Sequence, residues 1–139
     1  MAMMNKSTFN GTLFESEFVV EALRRGFVTH LPITPMPWDF VVECPAGLLK
    51  VQIKGTMMKA EEDGSYKMMI CRIEGGKKVA IGELVDVIAC WVDEARVWYI
   101  MPPEEQTAKC IRLYAKNKMT KSKNEQYRDN WSIFYNSQS

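Results

Sequence analysis

Residues 39–56, with the sequence DFVVECPAGLLKVQIKGT, consist of two largely apolar segments joined by a turn that contains proline and glycine. Alternating segments of this length around such a turn are typical of a β-hairpin. Because side chains alternate between the faces of a strand, Leu49, Val51 and Ile53 share one face of the second strand. The chain must therefore fold so that this hairpin has one face in a core.

The other face of the hairpin carries polar residues. Pairing the apolar faces of the two strands places Asp39 of the first strand on the same side as Gln52 and Lys54 of the second. One interpretation is that these residues form the solvent-exposed side of a half-buried hairpin. The other is that they belong to a functional site, and alternation by itself does not decide between the two.

The remaining sequence predicts a single domain, residues 1–139, with one helix near each end and a series of strands between them. Residues 12–25 predict a helix that ends at Gly26. The terminal helix is predicted over residues 121–135, with Trp131 and Phe134 as its buried anchors. Strands are predicted at residues 27–30, 38–43, 48–58, 66–73, 84–92, 96–101 and 109–114. This order indicates an α/β (or α+β) fold with a mostly antiparallel, mixed β-sheet.

The overall composition excludes several classes of function. The 139 residues contain 18 basic and 17 acidic side chains, so the net charge of +1 favours neither nucleic acid nor another acidic partner. The four cysteines do not form a CxxC pair, and Cys71 and Cys90 are expected to fill core positions. His30 is the only histidine, which excludes a three-histidine zinc site. The chain contains no signal-like or membrane-spanning segment, so a cytoplasmic protein that does not bind membranes is expected.

Glu15 is the acidic residue that fits the first predicted helix least well. At 3.6 residues per turn it lies in the same stripe as Phe18, Val19 and Ala22, which are apolar. A carboxylate directed at a core needs a partner, because burying it ionised and unpaired is very costly. Thr12 and Glu15 also match a capping box, in which Glu15 would bind the backbone at the start of the helix. Both interpretations remain open.

Together, these side chains suggest a metal-assisted reaction at a phosphate. Asp39, Gln52 and Glu15 offer oxygen ligands of the kind that suit Mg²⁺, which binds through one or two carboxylates and keeps several waters. Lys54 would add positive charge nearby. Cleavage of a phosphodiester requires charge stabilisation at the attacking and leaving oxygens, and a metal with a neighbouring lysine supplies it.

In the same order along the chain, these residues resemble the motifs of the PD-(D/E)XK nuclease superfamily. Gly11-x-x-x-Glu15 resembles the first helix, Trp38-Asp39 the "PD" element, and residues 49–56 the (D/E)XK strand. The resemblance covers roughly residues 11–102 and is strongest to small Holliday-junction resolvases and to group I intron homing endonucleases with a QxK motif. It implies a restriction-endonuclease-like core and an endonuclease acting on DNA, either branched or duplex.

The resemblance also implies roles for individual residues. Asp39 would bind Mg²⁺, with Mn²⁺ as a substitute, and the side-chain oxygen of Gln52 and the backbone carbonyl of Ile53 would complete the metal site. Lys54 would orient the attacking water and stabilise charge on the phosphate. Glu15 would hold the metal or a water from the helix.

The main departure from the family pattern is Gln52, where most members have glutamate or aspartate. A neutral amide oxygen is a weaker ligand for a hard cation than a carboxylate. This keeps open a second hypothesis, a non-catalytic nucleic-acid-binding or assembly protein with the same fold. A third is an unrelated α+β domain in which Glu15 lies far from Asp39 and Lys54.

A run of four lysines between residues 116 and 123 is the local signal for DNA binding. Such a run attracts phosphates without reading sequence, although a solvated loop is the simpler interpretation. Because DNA has two strands to cut, a homodimer or a higher even oligomer is expected. The lysines predicted to contact DNA are Lys50, Lys116, Lys118, Lys121 and Lys123.

Overall fold

A computed structural model of the chain describes residues 5–80, 84–103, 110–116 and 122–136. The main elements in these residues are one α-helix and nine β-strands. They are α1 (Lys6–Arg24), β1 (Val28–His30), β2 (Phe40–Cys44), β3 (Gly47–Thr56), β4 (Tyr66–Met69), β5 (Cys71–Glu74), β6 (Lys77–Ala80), β7 (Val87–Val92), β8 (Val97–Met101) and β9 (Cys110–Leu113).

The largest sheet has five strands in the order β1-β2-β3-β7-β8. Strands β3 and β7 are parallel, and the other neighbouring pairs are antiparallel. Strands β4 and β9 form a second, two-stranded sheet, and β5 and β6 form a third. The predicted α/β class with a mixed sheet and an N-terminal helix is therefore confirmed.

Helix α1 begins six residues before the predicted start. The side chain of Asn5 caps it by accepting a hydrogen bond of 2.9 Å from the backbone N–H of Thr8. Thr12 therefore lies inside the helix, where its hydroxyl donates to the Thr8 carbonyl at 3.1 Å. The capping-box interpretation of Glu15 is wrong for this reason. The helix ends as predicted before Gly26, which has φ +80°. No helix in the described ranges is long and apolar enough to cross a membrane.

Both faces of the five-stranded sheet are covered. On one face, Phe14, Phe18 and Ala22 of α1 pack against the apolar side chains of β3. On the other, Tyr66 of β4 and Leu113 of β9 pack against β7 and β8. All six residues of β7 are buried, as expected for a strand covered on both faces. The polar face of β3 thus lies on the side opposite α1, and the hairpin alternation predicted from the sequence is confirmed.

Two predicted elements differ in the structure. The strand expected over residues 66–73 is divided into β4 and β5, which belong to different sheets. After β5, Gly75 and Gly76 adopt positive φ angles of 54° and 79°, which favour a tight hairpin turn into β6. Strand β6 was not predicted from the sequence.

The predicted C-terminal helix over residues 121–135 is wrong. The described part of this segment forms two short 3₁₀ helices, Glu125–Tyr127 and Trp131–Phe134. Between them, Arg128 forms an isolated β-bridge with β8, and Asp129 adopts a left-handed φ of 52°. Long-range pairing of the backbone therefore interrupts the helix. The two predicted aromatic anchors, Trp131 and Phe134, are nevertheless buried.

The side chains considered for other chemistries occupy structural positions. Cys71 and Cys90 are buried, as predicted. His30 lies on the edge strand β1, where its Nε2 is 2.6 Å from a carboxylate oxygen of Glu43 and both side chains are half exposed.

Candidate active site

A cleft of about 560 Å³ lies between the first half of α1 and the C-terminal end of β3. The two elements bring together side chains that are far apart in the sequence. Glu15 comes from α1, Asp39 from the residue before β2, and Lys54 from β3. The structure therefore places these three predicted site residues around one cavity.

Asp39 lies where the backbone pairing between β2 and β3 ends. The ladder begins at the pair Phe40 and Val51, and the backbone N–H of Asp39 donates to the Val51 carbonyl at 2.9 Å. Beyond this point, the backbone N–H of Ile53 in β3 donates to Oδ2 of the Asp39 side chain at 2.7 Å, and not to a backbone carbonyl of β2. This bond fixes the carboxylate at the edge of the cleft.

The amide of Gln52 occupies the space between two oxygen atoms. Its Nε2 donates to Oδ2 of Asp39 at 2.8 Å and to the Ile53 carbonyl at 3.3 Å. Both of these groups are acceptors, so only the NH₂ end of the amide can face them. The side-chain oxygen of Gln52 therefore points away from both Asp39 and the Ile53 carbonyl. To present this oxygen to a cation beside Asp39, the amide must rotate by about half a turn.

Lys54 extends along the same face of β3 as Gln52. Its Nζ donates to the backbone carbonyl of Cys71 at 3.3 Å, which anchors the half-buried side chain. Lys54 is also close enough to Asp39 for its positive charge to lower the pKa of that carboxyl. The ammonium is thus positioned beside the carboxylate, where a phosphate group would need positive charge.

The two carboxyl groups of the cleft have pKa values above those of free carboxyl groups. Burial, followed by the negative charge of Asp39, raises the pKa of Glu15. Burial also raises the pKa of Asp39, and this effect outweighs the opposing effects of the Ile53 N–H and of Lys54. Two partly desolvated carboxylates near a single lysine favour the binding of an additional cation.

The chemistry of these donors fits a hard divalent cation. The available atoms are carboxylate, amide and backbone carbonyl oxygens, which suit Mg²⁺ or Mn²⁺. Among the described residues, no group of three or more histidine, cysteine, aspartate or glutamate side chains is arranged to hold a metal. A cation at this site would therefore depend on Asp39, Glu15, neutral oxygens and water or substrate.

A close contact between α1 and β3 sets the width of the cleft. A β-carbon placed on Gly55 would lie 2.4 Å from the ring of Phe14, so a residue larger than glycine would force this ring to move. This role was not predicted from the sequence, because the glycine follows Lys54 in a strand and gives no local signal of a helix above it.

Three further cleft residues were also missed from the sequence. They lie in the first part of α1, before the predicted start of the helix, and so were not considered. These three residues are Lys6, Ser7 and Asn10.

Lys50 lies two residues before Gln52 on the polar face of β3. Its Nζ is 4.6 Å from the centre of the Trp38 ring, so the two side chains form a cation–π pair near the site. The backbone N–H of Lys50 donates to Asp86 at 2.8 Å. Asp86 itself is exposed, immediately precedes β7 and links this strand to β3 through that bond.

The lysine run is only partly within the described residues. Lys116 and Lys123 are exposed and do not line the cleft. Lys118 and Lys121 lie outside the described residues.

The chain is also similar to known proteins. A family model described as PD-(D/E)XK endonuclease matches residues 5–134. The chain belongs to this family. The PD-(D/E)XK resemblance noted from the sequence is therefore confirmed, over a longer part of the chain than expected.

A solved structure also shares the fold of this PD-(D/E)XK family member. It is the bacterial homing endonuclease I-Ssp6803I, which is 23% identical, with 95% of this chain and 93% of that chain covered at a TM-score of 0.77. The restriction-endonuclease-like core is confirmed by this match. Among curated protein sequences, none matches the chain significantly.

Proposed function

We propose that this PD-(D/E)XK family member is a metal-dependent endonuclease that hydrolyses phosphodiester bonds in DNA. The observation that carries the proposal is the meeting of Glu15, Asp39 and Lys54 in one cleft. These residues come from α1, from the residue before β2 and from β3. A hairpin whose polar face was merely solvated would not require a half-buried glutamate from a helix to join it.

Asp39 is the main metal ligand in this proposal. The Ile53 carbonyl and, after rotation of its amide, the side-chain oxygen of Gln52 would complete the protein ligands, with Glu15 binding the metal or one of its waters. Mg²⁺ is the expected ion, and Mn²⁺ would replace it. When bound, the ion supplies positive charge at the phosphate and makes a bound water more acidic.

Lys54 acts on the phosphate and on the attacking water. Its ammonium, held by the Cys71 carbonyl, would stabilise negative charge that develops on the phosphate oxygens and would orient the water. Glu15 is placed to accept a hydrogen bond from that water. No side chain needs to form a covalent bond with the substrate.

The wider binding surface is also a proposal. We expect the Trp38–Lys50 pair to lie along the DNA, and the lysines from residue 116 to 123, including Lys118 and Lys121, to bind phosphates. The chain would act as a single nuclease domain and assemble as a homodimer or a higher even oligomer, which matches the two strands of the substrate.

Between the two kinds of enzyme predicted, we favour a homing-endonuclease-like activity over a Holliday-junction resolvase. The solved structure that shares the fold of nearly the whole chain is a homing endonuclease. The QxK motif of β3 supports the same choice through the sequence resemblance. The substrate would then be a specific duplex site.

The test compares two labelled substrates, a four-way junction and a plasmid library with random inserts, each with Mg²⁺, Mn²⁺ or EDTA. We expect cleavage that requires the metal, with cut ends in the library clustering at one sequence. Cleavage of the junction alone would instead support the resolvase-like activity. Absence of cutting with either metal, together with salt-sensitive binding, would contradict the proposal and favour the non-catalytic protein.

A further inference from the structure

Gly11 lies in the interior of α1, where glycine weakens a helix relative to alanine. Neither of the usual structural reasons explains it. Gly11 is not among the glycines with positive φ, and a β-carbon built on it would meet no described atom within 4 Å. By contrast, Gly55 is required by the ring of Phe14. The structure therefore leaves open space beside Gly11.

That open space faces the cleft. Gly11 lines the same cavity as Asp39 and Lys54, and the polar residues that precede it on α1 line the cavity with it. One of these, Lys6, is exposed, and among the described residues none forms an ion pair with it. This wall of the cleft thus combines an exposed cation, small polar side chains and a position without a side chain.

We infer that the sugar-phosphate backbone of the DNA passes over α1 at Gly11, with Lys6, Ser7 and Asn10 contacting phosphates next to the one that is cut. This inference rests on the proposed function. Glycine permits the close approach of a ligand backbone, and lysine, serine and asparagine are ordinary partners of phosphate oxygens. These contacts would position the DNA without reading its sequence.

Filling the space at Gly11 should increase the stability of the protein while weakening its binding to DNA. Gly11→Ala should raise Tm by about 3 °C, because alanine is the better helix former and nothing in the described structure obstructs its methyl group. Binding of a labelled duplex, measured by anisotropy with Ca²⁺ to prevent cutting, should weaken several-fold. Gly11→Leu should weaken it by about tenfold or more.

Two matched variants of α1 serve as controls. Ser16 is exposed on α1 but does not line the cleft, so Ser16→Leu should bind DNA like the wild type.

Lys6→Ala should reduce the slope of log affinity against log salt by about one, whereas Arg24→Ala, at the other end of the helix, should leave the slope unchanged.

The inference is overturned if Gly11→Leu is folded and binds the duplex within about twofold of the wild type, well short of the tenfold loss expected. If the wild type in the same preparation still cuts DNA, the proposed function stands and only the path of the DNA is wrong. If the wild type neither binds nor cuts any of the DNA substrates, the proposed function fails and the inference fails with it.

Discussion

The ring of Phe14 lies directly against Gly55, so that a β-carbon on the glycine would be 2.4 Å from the ring. Glu15 follows Phe14 in α1, and Lys54 precedes Gly55 in β3. This contact therefore limits how closely the carboxylate of the helix can approach the lysine of the strand. It couples packing of the core to the geometry of the candidate active site.

We predict that Gly55→Ala destabilises the protein by about 1–3 kcal/mol, because the ring of Phe14 must move to admit the methyl group. The displacement should also reduce cleavage, since Glu15 moves with the helix. Urea denaturation measures the first effect, and Gly11→Ala, with no neighbour within 4 Å, is the matched glycine control. A Gly55→Ala protein as stable as the wild type would show that this contact does not hold α1 in place.

We predict that Glu15→Gln is more stable than the wild type at neutral pH without metal, by roughly 1–2 °C in Tm. The substitution removes a charge that is disfavoured by burial and by Asp39, the causes that raise the pKa of Glu15. The expected gain in Tm is small because Glu15 is only half buried and keeps part of its hydration.

The pH dependence of this difference has a definite sign. Because the pKa of Glu15 is raised in the folded protein, the folded state binds this proton more readily than the unfolded state does. Lowering the pH from neutral towards 4.5, the ordinary pKa of a glutamate, should therefore shrink the advantage of Glu15→Gln. An advantage that grows as the pH falls would contradict this, and Glu62→Gln on an exposed loop is the control.

We predict that Gln52→Glu lowers the Tm of the metal-free protein and increases the rise in Tm caused by Mg²⁺. The substitution removes the amide that donates to Asp39 and Ile53 and adds a third carboxylate beside two others. A carboxylate is also the stronger ligand, and an affinity about tenfold higher would add up to about 1.4 kcal/mol to the stabilisation by Mg²⁺.

Thermal unfolding with Mg²⁺ and with EDTA measures both effects of Gln52→Glu. Gln126→Glu, which makes the same change in net charge at an exposed position, is the control. If Mg²⁺ stabilises Gln52→Glu no more than the wild type, Gln52 does not face the metal.

Much of the site could be predicted because it depends on strand alternation. The two-residue period of the hairpin was sufficient to place Asp39, Gln52 and Lys54 on one side. The pairing of Phe40 with Val51 and the hydrogen bond from Gln52 to Asp39 agree with this placement. The helical position of Glu15 indicated that it faces inward. Local periodicity thus identified side chains whose direction is decided by the strand or helix that carries them.

One of the missed features is local, and two depend on contacts between distant segments. The early start of α1 rests on the Asn5 cap, within a polar segment that contains Gly11 and so lacks a clear helical pattern. Residues 122–136 do not form an α-helix because Arg128 pairs with Tyr99 of β8. The closeness of Phe14 and Gly55 likewise exists only once helix and sheet are packed together.

The most direct test of the proposed mechanism is single-turnover cleavage of DNA by the wild type, Asp39→Ala and Lys54→Ala, with Lys59→Ala as an exposed control. We predict that cleavage with Mg²⁺ falls by about a hundredfold or more in the two site variants, while folding and DNA binding are retained. The Lys59→Ala variant should cut like the wild type. Cleavage by folded Asp39→Ala and Lys54→Ala at wild-type rates would contradict the assignment of this cleft as the active site.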